Sequence, residues 1–301
     1  MSNPPVPVEL SAAREQFLAL VGELRPELHR YCARLVGSAI HGEDVVQEAL
    51  AKAFYAISLQ PELPPLKPWL FRIAHNTAID FLRRYERRFV EPMADVPEPS
   101  LADAGADPEV VRAALSSFVA LPVSQRSAVI LKDVLGHSLE DIATATGTTV
   151  PAVKAALVRG RANLRARAQP DFTPWRDRAE TSADERALLG RYVSLFNARD
   201  WEGVKAMLLE ECHLDLVSKS ARRGKAVGLY FTNYAKDTES RFVLGTAEGR
   251  DVIGVFRGDG ARPAYIILLD FDGSEVALIR DYRYVTYLTG ELTFEPYGDA
   301  T

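Results

Sequence analysis

The chain has 301 residues, 47% of them hydrophobic and 26% charged, with a net charge of −5. This composition excludes a mainly disordered chain, a collagen-like repeat and a disulfide scaffold, and the length suits about two or three domains. The longest apolar runs, such as Tyr265–Leu269, fall far short of the ~18 residues needed to span a bilayer, and the Pro-rich start reads as a loose tail, not a signal peptide.

Segment 11–88 reads as a helical domain. Apolar residues recur at steps of three and four in Ala12–Val36, and again in Glu43–Leu59 (Val46, Leu50, Phe54, Ile57) and Trp69–Arg88. Residues 89–108, with four prolines and several acids, form a linker. Segment 109–168 is a second helical domain of shorter pieces: Glu109–Ala120, Ser124–Val134, a short helix capped by Ser138, a turn at Gly147, and Val150–Ala168. A second linker covers 169–183. Segment 184–290 begins with helices at Asp184–Ala198 and Asp200–Leu209. From about Ser240 it alternates as strands, Arg241–Thr246, Val252–Phe256, Ala264–Phe271 and Glu275–Leu288, with turns at Gly258-Asp259-Gly260 and Asp272-Gly273. An α+β domain with an antiparallel sheet is expected there, followed by a tail at 291–301.

The charge is unevenly spread. Residues 1–170 balance to zero, so 171–301 supply the whole −5. Two basic stretches stand out, Lys67–Arg88 and Lys154–Arg167. Each reads either as an anion contact or as a solvated helix face. The short helix, Gly147 turn and basic helix fit a helix-turn-helix, although plain helical hairpins share that pattern. On the last helix, Ala152, Ala155 and Arg159 share the face opposite Val150, Val153 and Leu157. Small side chains there would let the helix enter a major groove, with Arg159 reaching a phosphate or a guanine edge and Lys154 and Arg161 flanking it.

Two longer stretches carry a resemblance. Gly42-Glu43-Asp44-Val45-Val46-Gln47-Glu48-Ala49, followed by Lys67-Pro68-Trp69-Leu70-Phe71-Arg72-Ile73-Ala74-His75-Asn76, resembles conserved region 2 of the sigma-70 family. Leu121-Pro122, Arg126, Gly136-His137-Ser138-Leu139-Glu140-Asp141-Ile142-Ala143 and Val153-Lys154-Ala155-Ala156-Leu157-Val158-Arg159-Gly160-Arg161 resembles region 4. Their order, with no room for region 3, is similar to the extracytoplasmic-function sigma factors. The resemblance implies that Asp44, Gln47 and Glu48 dock on the β′ clamp of core RNA polymerase and that region 4 meets the β flap. It implies that Lys67, Trp69, Arg72, Asn76, Arg83 and Arg84 serve the −10 element of promoter DNA, where unstacked bases need aromatic and polar partners. Trp69 is equally suited to fixing the start of its helix as a core aromatic. Ala152, Lys154, Ala155, Arg159 and Arg161 would serve the −35 element.

Helices followed by Gly224-Lys225-Ala226-Val227-Gly228-Leu229-Tyr230-Phe231 and a curved sheet resemble the SnoaL-like branch of the NTF2-like cone fold. The expected architecture is therefore two all-α domains followed by an α+β cone-shaped domain. A subgroup of these sigma factors carries such a domain, which the resemblance implies tunes sigma activity in cis. Masking of Arg159 or Arg83 by the acidic domain is one route, through an intramolecular contact. Asp215, Tyr230, Asp281 and Tyr282 are candidates for a pocket holding a small-molecule ligand, or else strand-edge carboxylates and tyrosines filling a sheet face. No catalytic role, metal or cofactor is expected: His29, Cys32 and His41 give too few ligands at unsuitable spacing. The two cysteines, Cys32 and Cys212, read as reduced thiols of a cytoplasmic protein without a membrane partner. A simple helix-turn-helix regulator is the competing class, but it has no use for residues 43–88. A C-terminal enzyme targeted by the helical part is another.

Overall fold

The structure is a computed structural model that describes residues 8–58, 64–89, 115–166 and 181–297. Most of both predicted linkers, and the start of the helix expected at Glu109, lie outside these residues. The chain divides into two compact units, Met1–Pro174 and Trp175–Thr301. Among the described residues, no helix is long and apolar enough to cross a membrane.

The first unit is all helical. Helices α1 (Val8–Val36), α2 (Ala39–Ser58) and α3 (Leu66–Phe89) pack together, and Leu28, Tyr31, Val46, Ala53, Phe71 and Ala78 are buried between them. The sequence places the start of the second helix at Glu43, but α2 begins four residues earlier. Ser38 accepts a hydrogen bond from the His41 amide (3.1 Å) and so caps the helix. Gly42 then lies inside the helix, where a Cβ would sit 2.6 Å from the Ala33 backbone. That glycine permits a close crossing of α1 and α2 and does not act as a breaker.

The second set of helices is α4 (Leu115–Val119), α5 (Val123–Val129) continuing through a π-turn to Val134, α6 (Leu139–Thr146) and α7 (Val150–Ala166). Ser138 caps α6 as expected, accepting from the Asp141 amide at 3.0 Å. Gly147 closes α6 with φ +66°, the left-handed conformation that a residue without Cβ adopts freely. This set packs on the first, with α4 and α5 against α1 and α6 against α3.

The second unit contains α8 (Ala183–Asn197), α9 (Trp201–Lys205) and α10 (Gly228–Ala235) with a seven-stranded sheet. Its strands are β1 (Leu208–Leu216), β2 (Ser220–Arg223), β3 (Ser240–Ala247), β4 (Arg250–Arg257), β5 (Tyr265–Asp272), β6 (Glu275–Asp281) and β7 (Phe294–Pro296), in the order β2-β1-β6-β5-β4-β3-β7. A full capping box, Ser182 with Glu185, starts α8.

Several expectations need correction here. The helix expected over Asp200–Leu209 is only α9, and strands begin at Leu208, not near Ser240. Cys212, Leu214 and Leu216 alternate inward, but Glu210, Glu211, His213 and Asp215 between them dilute the apolar signal. The sheet is not wholly antiparallel, because β1 runs parallel to β6. The last predicted strand stops at Asp281, short of Leu288, and part of the expected tail is β7, paired with β3. The core between helices and sheet is aromatic, with Tyr192, Phe196, Tyr230, Phe231, Tyr234 and Phe242 all nearly fully buried.

Candidate nucleic-acid interface

Helix α3 sorts the residues proposed for the −10 element onto different sides. Trp69, Arg72, Asn76 and Arg83 fall within one narrow stripe at 100° per residue, with Arg72, Asn76 and Arg83 exposed and Trp69 half-buried. Lys67 lies on the opposite side, where its Nζ meets Glu27 at 2.9 Å. Arg84 turns toward α2 and binds Glu48 at 2.9 Å. Four of the six expected residues therefore share a face, and two instead join helices.

On α2, Asp44, Gln47 and Glu48 occupy successive positions of one face, all half-buried. Partial burial disfavours charge on Glu48, but hydrogen bonds from Lys52 and Arg84 outweigh it and hold its carboxyl below the usual range. Asp44 Oδ2 lies 3.4 Å from His41 Nδ1.

On α7, Ala152 and Lys154 are exposed and Ala155 and Arg159 half-buried, while Val153, Ala156 and Leu157 face the core. The core-facing stripe is thus distinct from most of the residues expected at the −35 element. Arg161, expected among the −35 contacts, is the exception. It is 5% exposed and forms a two-point ion pair with buried Asp133, Nε to Oδ2 at 2.9 Å and Nη2 to Oδ1 at 2.6 Å. Its position near 20° from Val150 puts it beside the buried stripe, so it ties α7 to the π-turn after α5 and is not available to DNA. The missed signal was Asp133, the acid that gives a buried arginine its partner.

In the second unit, the four expected pocket residues divide between the two faces of the sheet. Asp281 is fully buried and accepts from the Tyr234 hydroxyl at 2.8 Å and from the Arg283 amide at 2.9 Å. The ring of Tyr230, also buried, sits 4.9 Å from that of Tyr234. Burial raises the Asp281 carboxyl above its ordinary range despite Arg283 and Tyr234. Asp215 stands opposite Arg280 in the β1–β6 register and pairs with it at 3.3 Å. Alternation along β6 puts that pair on the face away from Asp281, and Tyr282 lies under the Arg280 guanidinium. Tyr234, Tyr265 and Arg283 complete the buried network, with Tyr265 accepting from Arg283 at 3.0 Å. Tyr234 on α10 and Tyr265 on β5 were absent from the sequence expectation because only tertiary packing brings them to Asp281, and Arg283, two residues along, was passed over.

A helix-turn-helix with a small-residue face on its second helix follows a three-helix module that carries a basic-aromatic stripe. Known families match both parts. The Sigma-70 region 2 family matches residues 20–88 and the Sigma-70 region 4 family matches residues 113–164. The chain is 31% identical to ECF RNA polymerase sigma factor SigD of Mycobacterium bovis, over 50% of this chain and 76% of that protein. It is 32% identical to ECF RNA polymerase sigma factor SigG of Mycobacterium tuberculosis, over 62% of this chain. That match spans 57% of SigG, a little over half its length. The crystal structure of the Mycobacterium tuberculosis extracytoplasmic function sigma factor SigJ aligns with 91% of this chain and 98% of its own, at 19% identity and a TM-score of 0.36. The chain belongs to the extracytoplasmic-function sigma factor family.

Proposed function

We propose that this protein is an alternative sigma factor that binds core RNA polymerase and directs it to promoters with −10 and −35 elements. The observation that carries the reading is the presence, on one helical unit, of two faces whose residues are exposed or half-buried. Trp69, Arg72, Asn76 and Arg83 on α3 would engage the opened −10 strand, and Ala152, Lys154, Ala155 and Arg159 on α7 would read the −35 major groove. The half-buried Asp44, Gln47 and Glu48 face of α2 would dock on the β′ clamp, with the region 4 helices on the β flap. Such a protein works in the cytoplasm, beside polymerase.

The C-terminal unit, in this reading, is a SnoaL-like domain that regulates the sigma helices in cis and is not a catalyst. Asp281 supports that role, because its carboxylate is already taken by Tyr234 and Arg283. Its net negative charge, against the basic faces of α3 and α7, makes electrostatic masking of Arg83 or Arg159 the simplest mode of control.

The test is transcription in vitro with purified core polymerase and the chain's own upstream region. Promoter-specific RNA is expected with the full chain, and a Arg159→Ala variant should lose −35-dependent initiation by about 1–3 kcal/mol while still binding core polymerase. A chain ending after 174 should initiate more strongly if the acidic unit masks. No RNA and no core binding from any form would sink the sigma reading.

A further inference from the structure

The sheet of the C-terminal unit has a second apolar face. Along β3, β4 and β5, Phe242, Val255 and Tyr265 point into the aromatic core. Val243, Phe256 and Ile266 alternate to the opposite face. They stand in register there, with Arg241 across from Phe256, Val243 across from Gly254, and Gly254 across from Ile266.

Two mid-strand glycines make room on this face. A Cβ on Gly245 would sit 2.6 Å from Phe294 Cζ, and one on Gly254 would sit 2.8 Å from the same atom. Phe294 of β7 therefore lies over both glycines, and its ring meets that of Phe256 edge-on at 5.8 Å. Beside it a cavity of about 460 Å³ remains, with Val243, Phe256, Ile266 and Phe294 among its walls. That volume is in the range of small-molecule sites.

The charge of the cavity runs against that of its unit. Residues 171–301 supply the net −5, yet among the described residues the charged side chains lining this cavity are Arg241 and Arg262, both exposed. Arg241 Cζ lies 5.0 Å from the centroid of the Phe256 ring. Stacking on an aromatic face orients a guanidinium and leaves its edge free to donate two parallel bonds to a carboxylate. Among the described residues, neither arginine has a carboxylate partner. Thr293, exposed at the rim, adds a hydroxyl, while that of Thr289 already donates to the Thr286 carbonyl at 3.0 Å. The Asp281 network lies across the sheet and shares no residue with this cavity.

We propose that this cavity binds a small organic carboxylate with an apolar body, the carboxylate held by Arg241 and Arg262 and the body laid against Phe256, Ile266 and Phe294. A neutral apolar molecule would leave both guanidiniums unpaired, and an inorganic anion would leave the apolar walls uncovered. The site lies wholly within the C-terminal unit, so it stands or falls separately from the sigma reading.

The experiment titrates the full chain with octanoate by calorimetry and repeats the titration with octanol, which keeps the apolar body and lacks the charge. Saturable binding of octanoate with a Kd below about 1 mM is expected, with octanol weaker by about tenfold or more. Arg241→Gln and Arg262→Gln should each weaken octanoate by about tenfold and leave octanol unchanged. Comparing the two probes on the unsubstituted chain needs no variant, so it decides the case even if a variant fails to fold. Octanol binding as tightly as octanoate would overturn the site, as would no saturable octanoate binding or an octanoate affinity indifferent to both substitutions. Sedimentation tests the other occupant. A dimer that persists in octanoate but is broken by Thr293→Arg would show a second copy covering the cavity, and it too would overturn the proposal.

Discussion

The two units of this protein bury different chemistry. Among the described residues, the helical unit buries eleven polar or charged side chains, including His29, Glu43, Arg126, Asp133, His137 and Arg161, and the C-terminal unit buries two, Ser240 and Asp281. The C-terminal core is instead a stack of aromatic rings, with Phe196 meeting Tyr192, Trp201, Phe231, Tyr234 and Phe242 at centroid distances of 4.1–6.1 Å. Apolar contacts are strong and non-directional, and they suit a domain with one packing arrangement. Paired polar groups are directional and costly to break singly, so they fix the register in which helices meet. The helical unit is thus tied by specific polar pairs and the C-terminal unit by aromatic packing.

Four changes test that contrast, beginning with the largest. Asp133→Ala should destabilise the helical unit by about 3–5 kcal/mol, because it leaves the Arg161 charge buried without its partner. Denaturant titration measures this, and replacing both residues by apolar ones should recover much of the loss. A small effect from Asp133→Ala alone would show that the buried pair matters less than its geometry suggests.

Acid should separate the units next. Burial holds His29 and His75 down to about 4, below the ordinary value of 6.5. Each is neutral when folded but takes a proton when unfolded. Its contribution is therefore full above about pH 6.5 and lost as the pH falls toward about 4, amounting to at most about 3 kcal/mol per histidine. Asp281 has the opposite sign: its raised folded pKa lets the fold gain stability as it protonates. Urea midpoints at pH 7.5 and 5, read separately for each unit by hydrogen exchange, should fall more for the helical unit. Equal falls would break the comparison.

Tyr234→Phe removes the hydroxyl that donates to Asp281 and should cost the C-terminal unit about 1–3 kcal/mol in thermal melting, with no change in the helical unit. The smallest effect belongs to Arg84→Ala. Its ion pair with Glu48 is exposed, so the loss of stability should stay within about 1 kcal/mol and shrink further at high salt. A larger loss would mean that the α2–α3 bridge organises the face carrying Asp44 and Gln47.

Local pattern settled a great deal in advance. The steps of three and four in Ala12–Val36 and Trp69–Arg88, the Ser138 cap and the Gly147 turn each depend on residues within one or two turns, so periodicity and capping chemistry placed them. The paired region 2 and region 4 motifs placed the chain in its family by residue identity. Boundaries shifted where a remote partner intervened, as at Gly42, whose place inside α2 depends on the Ala33 backbone of another helix.

The sequence alone determined two helical modules, an α+β unit, a helix face of small residues with Arg159, and an acidic C-terminal part. Only the tertiary structure decided that Arg161 belongs to Asp133, that Lys67 and Arg84 bridge helices, that β1 lies parallel to β6, and that Asp215 and Asp281 look to opposite faces of the sheet. The physical reason is common to all four. Helical and strand periods fix which way a side chain leaves its own element, but an ion pair or a strand register is fixed by which element packs opposite. That is a property of the folded chain and not of any local segment.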